Sequence, residues 1–134
     1  MVEASSHEKP LVLVTGVTGF LGAATANAFL QDGSYRVRGT VRSLSNESKL
    51  TPLKTVLGDL YDQIELVEAD LMDKESLINA CKGATYVAHT ASPLMFGDED
   101  TMVKPAVNGT LYVMEGCKIN GVKRVVVTSS VAAI

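Results

Sequence analysis

The residues best placed to do chemistry are three glycines at fixed spacing, Gly16, Gly19 and Gly22. Aliphatic residues 11–14 run into Thr15 and Gly16, and a segment with helical apolar spacing follows and ends at Gly33. Strand, glycine turn and helix in that order suit an anion. Gly16 lets the backbone turn sharply off the strand. Gly19 lacks a Cβ, so a pyrophosphate can approach the main chain. Gly22 lets the helix pack close to the strand. The free N–H groups and positive dipole end of the helix then face the phosphates. The spacing is G-x-x-G-x-x-G, a departure from the commoner G-x-G-x-x-G fingerprint.

The next strand exit decides which dinucleotide is expected. A ribose-reading site for NAD wants Asp or Glu about twenty residues past the glycines. This chain has Val41 and then Arg42. Arg42 can fork onto a 2′-phosphate, with Lys49 in the following loop as a second cation. NADP(H) is therefore the expected cofactor. Asp70 can accept from the adenine amino group while Leu71 covers the ring, although Asp70 reads equally well as a helix-initiating acid. Thr90, Ala91 and Ser92 form a small-residue loop across which a dinucleotide can lie. His89 reads as a strand-end residue rather than a catalytic base. Ser129 and Ser130 end the last strand, where a hydroxyl can polarise a carbonyl but cannot do acid–base work without a partner. No Tyr-x-x-x-Lys occurs in the sequence.

Composition narrows the class. The 134 residues are 46% hydrophobic and 20% charged, with net charge -3. That describes a globular chain with a real core and no nucleic-acid surface. No apolar run approaches the ~20 residues that cross a bilayer. Residues 1–10, MVEASSHEKP, lack the apolar stretch of a secretory leader. Cys81 and Cys117 have no metal-type spacing, so reduced core cysteines, no metal and a cytoplasmic location are expected.

The elements that must position these residues alternate between strand and helix. Residues 1–9 read as a mobile tail and 10–134 as one nucleotide-binding domain. Strands are expected at 11–14, 35–41, 64–68, 84–89 and 125–128, the second with a polar face. Helices are expected at 19–32, 48–57, 74–82 and 103–120. Leu21, Ala24, Ala28 and Phe29 give the first helix its buried stripe. Val107, Leu111 and Met114 give the last helix its helical spacing. Pro52 is expected in the first turn of its helix, Asp73 as a cap, and residues 94–101 as a loop with a solvated acidic tip. The alternation demands right-handed crossovers and an α/β fold with a doubly wound parallel sheet; the expected order, 3-2-1-4-5, places a crevice between strands one and four.

These residues resemble the extended short-chain dehydrogenase/reductase superfamily, which also holds the NAD-dependent epimerases and dehydratases. The pieces that carry the resemblance are TGVTGFLG (15–22), TVR (40–42), ADL (69–71), HTASP (89–93), VKPAVNGT (103–110) and RVVVTSS (124–130). Within it the chain is most similar to the dihydroflavonol reductase and cinnamoyl-CoA reductase group. The resemblance implies a Rossmann-type fold and an NADPH-dependent reductase of a small-molecule carbonyl. It implies cofactor contacts from Gly16, Thr18, Gly19, Phe20, Leu21 and Gly22 at the pyrophosphate. Arg42 and Lys49 would take the 2′-phosphate, and Asp70 and Leu71 the adenine. Thr90, Ala91 and Ser92 would lie on the ribose and nicotinamide side. Asn108 matches a helix asparagine near the site, and Ser130 matches the catalytic serine.

The family pattern continues well past Ile134 with the Tyr-x-x-x-Lys pair, further strands and a substrate lobe. The expectation is an N-terminal part that is inactive by itself and prone to self-association through its last strand. An NAD-dependent sugar-nucleotide epimerase or dehydratase and a non-catalytic dinucleotide-sensing module are the competing readings.

Overall fold

The computed structural model describes residues 8–93 and 97–134. Among them the strands form one parallel sheet, β1 (Leu11–Thr15), β2 (Arg36–Val41), β3 (Ile64–Glu68), β4 (Tyr86–His89) and β5 (Arg124–Val127). Their order is β3-β2-β1-β4-β5, as expected. The register sets Val14 beside Gly39 and Ala88, and pairs Val41 with Glu68. The helices are α1 (Phe20–Asp32), α2 (Glu47–Leu57), α3 (Lys74–Ala80) and α4 (Lys104–Ile119).

Every residue of β1 is buried, because a central parallel strand has helices on both faces. Val12 and Val14 point to the core under α1 and α2, with Ala26, Leu30, Leu53 and Leu57. Leu11 and Leu13 point to the core under α3 and α4, with Leu77, Val87, Val113 and Cys117. The two faces are unequally covered. Val125 packs beneath α4, but Val126, which alternates to the other face, is 61% exposed.

Several expectations need correcting. The buried residues of α1 are Gly22, Ala23, Ala26 and Leu30, while Leu21, Ala24 and Ala28 stay exposed or nearly so. In α4 they are Pro105, Gly109, Val113, Gly116 and Cys117, and Val107, Leu111 and Met114 face outward. In both helices the small residues face inward because the helix approaches closely there. A Cβ on Gly116 would sit 3.0 Å from the Cys81 sulfur. Pro52 lies inside α2 rather than in its first turn. It sits on the exposed side, where the carbonyl it leaves unpaired can turn to water. The polar face of β2 is covered toward the strand exit, while Arg36 stays exposed. Thr40 is buried, and Arg38 donates to the carbonyls of Ala80 (2.7 Å) and Lys82 (2.6 Å) while pairing with Glu65.

Residues 99–101, expected as loop, belong to a wide helical turn, Glu99–Val103, that leads into α4, with Asp98 accepting from the Thr101 amide. Residues 94–96 of that segment, and 1–7 of the expected tail, lie outside the described residues. Glu8 and Lys9 are engaged with Arg36, through an ion pair at 3.5 Å and a carbonyl contact at 3.0 Å. A 3₁₀ segment, Gly58–Gln63, joins α2 to β3. Asp73 caps α3 as expected, accepting from the Ser76 amide.

Candidate functional site

All five strands end on one edge of the sheet, so their exits are neighbours. The β1 exit is a glycine turn. Gly16 has φ +71°, a conformation that favours glycine. Its amide donates to Thr40 Oγ1 at 2.9 Å, and the Val17 amide donates to the Thr40 carbonyl at 3.1 Å. A Cβ on Gly22 would lie 2.1 Å from the Gly16 carbonyl oxygen. The first turn of α1 therefore sits directly on the strand exit, and only glycine permits it. Gly19 is different. Its nearest neighbour to an added Cβ is the Gly16 oxygen at 3.5 Å, so the middle of the turn faces open space. Thr18 is half-buried, Leu21 is exposed and Phe20 is 95% exposed.

The β4 exit touches the glycine turn. A Cβ on Gly16 would meet the Ala91 Cα at 2.9 Å. Thr90 and Ala91 donate their amides to Thr15 Oγ1 at 3.1 and 3.0 Å, and the Thr90 hydroxyl donates to the Thr15 carbonyl. The structure thus brings the glycine turn and the Thr90–Ser92 loop together across the β1–β4 gap, where the crevice was expected. A cleft of about 340 Å³ opens beside them. It is lined by Thr90, Ala91 and Ser92, by Thr110 of α4, and by Ser129 and Ser130. Both serines line it. Ser130 Oγ accepts from the Ala132 amide at 3.1 Å, which fixes the hydroxyl at the start of a short turn. Asn108, half-buried on α4, is two residues from each of the cleft residues of that helix, Ala106 and Thr110, and so lies on the other side of it, not among those lining the cleft.

The β2 exit is looser. Arg42 and Lys49 are both exposed, and neither belongs to an ion pair among the described residues. Lys49 lies in the first turn of α2 rather than in a loop. The sequence reading missed Glu68 here. Its carboxylate comes from the neighbouring strand and accepts from the Leu44 amide at 2.9 Å, pinning the loop that follows Arg42. The pairing of Val41 with Glu68 across β2 and β3 was the only signal, and it exists only after the sheet is formed.

At the β3 exit, Asp70 Oδ1 accepts from the Met72 amide at 2.8 Å and its own amide bonds Ser76 Oγ. This shapes the turn that leads to the Asp73 cap. The Leu71 side chain packs on Gly109 of α4, where an added Cβ would meet its Cδ2 at 2.5 Å. Among the described residues no group of acidic, histidine or cysteine side chains could hold a metal, and no helix is long and apolar enough to cross a membrane.

The arrangement is matched elsewhere. Tetraketide alpha-pyrone reductase 1 of Arabidopsis thaliana is 42% identical over 130 residues, covering 94% of this chain and 39% of that protein. Dihydroflavonol 4-reductase of Zea mays is 38% identical over 135 residues, covering 98% and 37%. Gre2 of Candida albicans, solved in complex with NADPH, is similar with a TM-score of 0.73 and 31% identity, over 93% of this chain and 38% of that one. The chain spans less than two-fifths of the length of these relatives. The model of the NAD dependent epimerase/dehydratase family matches residues 12–134, from the second residue of β1 to Ile134. With the sheet order and glycine turn as found, the chain belongs to the NAD dependent epimerase/dehydratase family.

Proposed function

We propose that this chain is the NADP(H)-binding part of an oxidoreductase that reduces a small-molecule carbonyl to an alcohol. One juxtaposition carries the reading. A glycine turn whose middle residue faces open space stands beside an arginine, at the next strand exit, that makes no ion pair among the described residues. The turn fits a pyrophosphate, because Gly19 leaves its backbone approachable while Gly16 and Gly22 hold the helix N-terminus behind it. Thr18, Phe20 and Leu21 complete that contact. Arg42 takes the 2′-phosphate with Lys49 assisting. Asp70 and Leu71 border the adenine, and Thr90, Ala91, Ser92 and Asn108 border the ribose and nicotinamide.

A bound nicotinamide dinucleotide supplies the hydride. The chain's own part is to bind and orient it, and Ser130 offers a hydroxyl that can polarise the carbonyl oxygen. Carbonyl reduction itself is proposed of a protein of the relatives' length. The name of the Candida relative, a complex with NADPH, agrees with this cofactor.

Glu68 supports the competing choice. A carboxylate at the β2 exit suits a ribose 2′-hydroxyl and opposes a phosphate. The two cofactors decide between them. A 2′-phosphate carries about two negative charges, and one hydrogen bond to a charged group contributes about 1.5–3 kcal/mol. That corresponds to a roughly ten- to hundredfold preference. Titration of NADPH and NADH should show that preference in the wild type and lose most of it in Arg42→Ala. Lys49→Ala should lose less, since a flexible point charge fixes geometry poorly. Equal affinity for both cofactors, or a preference that survives Arg42→Ala, overturns the assignment.

A further inference from the structure

His89 ends β4 at 4% exposure, one residue before the loop that borders the cleft. Its ring lies between two threonines from different elements. Nδ1 is 2.8 Å from Thr15 Oγ1, and Nε2 is 3.3 Å from Thr110 Oγ1. The hydrogens in this row can be assigned by counting. A threonine hydroxyl has one proton and two acceptor lone pairs. Thr15 Oγ1 already receives the amides of Thr90 and Ala91. Its one proton must therefore go to His89 Nδ1, which has to be bare. The ring hydrogen then sits on Nε2 and points to Thr110, whose own proton goes to the Ala106 carbonyl at 2.8 Å. Every donor in the row has one acceptor, and the row runs one way only.

We propose that His89, held as the neutral Nε2–H tautomer, is a positioning residue that sets the Thr90–Ala91 turn through the Thr15 hydroxyl. By giving Thr15 an acceptor for its proton, the ring frees both lone pairs for the two amides. Ala91 is the residue packed against Gly16. The ring thus acts on the contact between the two loops that flank the dinucleotide.

Protonation undoes this. With a hydrogen on Nδ1, three donors converge on one oxygen that has room for two, and the turn loses an anchor. Among the described residues, those that bond the ring or line the cleft beside it include Thr15 of β1, Thr110 and Ala106 of α4 and Thr128 at the β5 exit, none of them charged. Burial in that setting lowers the His89 pKa below its ordinary value.

The role of the turn in cofactor binding rests on the reading above, whereas the tautomer and the anchoring do not. The test begins on the ligand-free chain with ¹⁵N-labelled histidine. At pH 7 the His89 nitrogens should give the Nε2–H signature. Hydrogen exchange of the Thr90 and Ala91 amides should speed up about tenfold in His89→Leu. In His89→Asn, whose side-chain oxygen can replace Nδ1 as acceptor, exchange should stay within about threefold of wild type. Thr15→Ser should preserve slow exchange and Thr15→Val should not, which keeps the test open if His89→Leu fails to fold. In the cofactor arm, NADPH affinity should fall more steeply with acid in wild type than in His89→Asn, whose remaining decline is that of the 2′-phosphate. An Nδ1–H tautomer or an imidazolium at pH 7 overturns the proposal, as does unchanged exchange in both His89→Leu and Thr15→Val. A wild type that binds no NADPH, with the tautomer and exchange results as expected, overturns the cofactor reading and leaves the anchoring intact.

Discussion

The backbone leaving β1 and the backbone leaving β2 reach the same edge of the sheet, but they are held in opposite ways. The β1 exit is fixed by backbone sterics. Gly22 sits against the Gly16 carbonyl, and the Gly16 and Val17 amides are both bonded to Thr40. The β2 exit is held by side chains. Glu68 pins Leu44, Ser43 bonds Ser45, and Arg42 is exposed with no ion pair among the described residues. In the proposed binding mode, fold-determining backbone would meet the part of a dinucleotide common to all of them, and an exposed side chain the part that distinguishes one from another. Stability and cofactor choice should therefore separate by mutation.

The largest effect should come from Gly22→Ala. Its new methyl would meet a carbonyl oxygen at 2.1 Å, closer than the backbone can absorb without shifting α1. We expect a loss of about 3 kcal/mol in denaturant titration, or failure to fold. Gly19→Ala is the matched control. Its Cβ meets only ordinary contact at 3.5 Å, so stability should hold within about 0.5 kcal/mol while dinucleotide affinity falls. Equal destabilisation by the two would break the distinction between a packing glycine and a ligand glycine.

Thr40→Val comes next. It removes the acceptor of the Gly16 amide while keeping the shape of a buried residue. An amide left without a partner costs about 1–3 kcal/mol, measurable as a shift in the urea midpoint.

A smaller effect should appear with pH. His89 has a pKa lowered by burial, so the unfolded chain binds its proton more readily than the folded one. Its contribution is full above the ordinary histidine value of about 6.5 and is lost as pH falls toward the folded value, by at most about 1.4 kcal/mol per pH unit. Asp32 and Asp98 also have lowered pKa values, from hydrogen bonds to Ser34 and Thr101. They titrate in the carboxylate range and leave the interval from pH 5 to 6.5 to histidine. Thermal melts of His89→Asn should lack that slope.

The smallest effect should be that of Arg42→Ala on stability. An exposed side chain with no ion pair should leave the urea midpoint within about 0.5 kcal/mol. A larger loss would show that the β2 exit is also part of the structural frame.

What could be read in advance follows the same division. The parallel sheet, the glycine turn and the Asp73 cap depend on alternation, on residues without a Cβ and on a local hydrogen bond. Neighbours in sequence express all three. The β5 edge was legible too, with Val126 and Val127 exposed beside a strand that pairs with β4 alone among the described residues. The buried faces of α1 and α4 were not. Large apolar residues draw attention in a periodic pattern, but Gly22, Ala23 and Ala26, and Gly109 and Gly116, face inward because they allow close approach. The Thr15–His89–Thr110 row joins residues 74 and 21 positions apart. Glu68 reaches Leu44 across 24. No local spacing encodes either contact.

The central claim is that one dinucleotide lies across the β1 and β4 exits with its 2′-phosphate at Arg42. Amide chemical shifts recorded while NADPH is added to the chain test it most directly. The account predicts shifts at residues 16–22, at 90–92 and at 42–49, with the last group unmoved when NADH replaces NADPH. Shifts that miss residues 16–22, or a response at 42–49 that is the same for both cofactors, would contradict it.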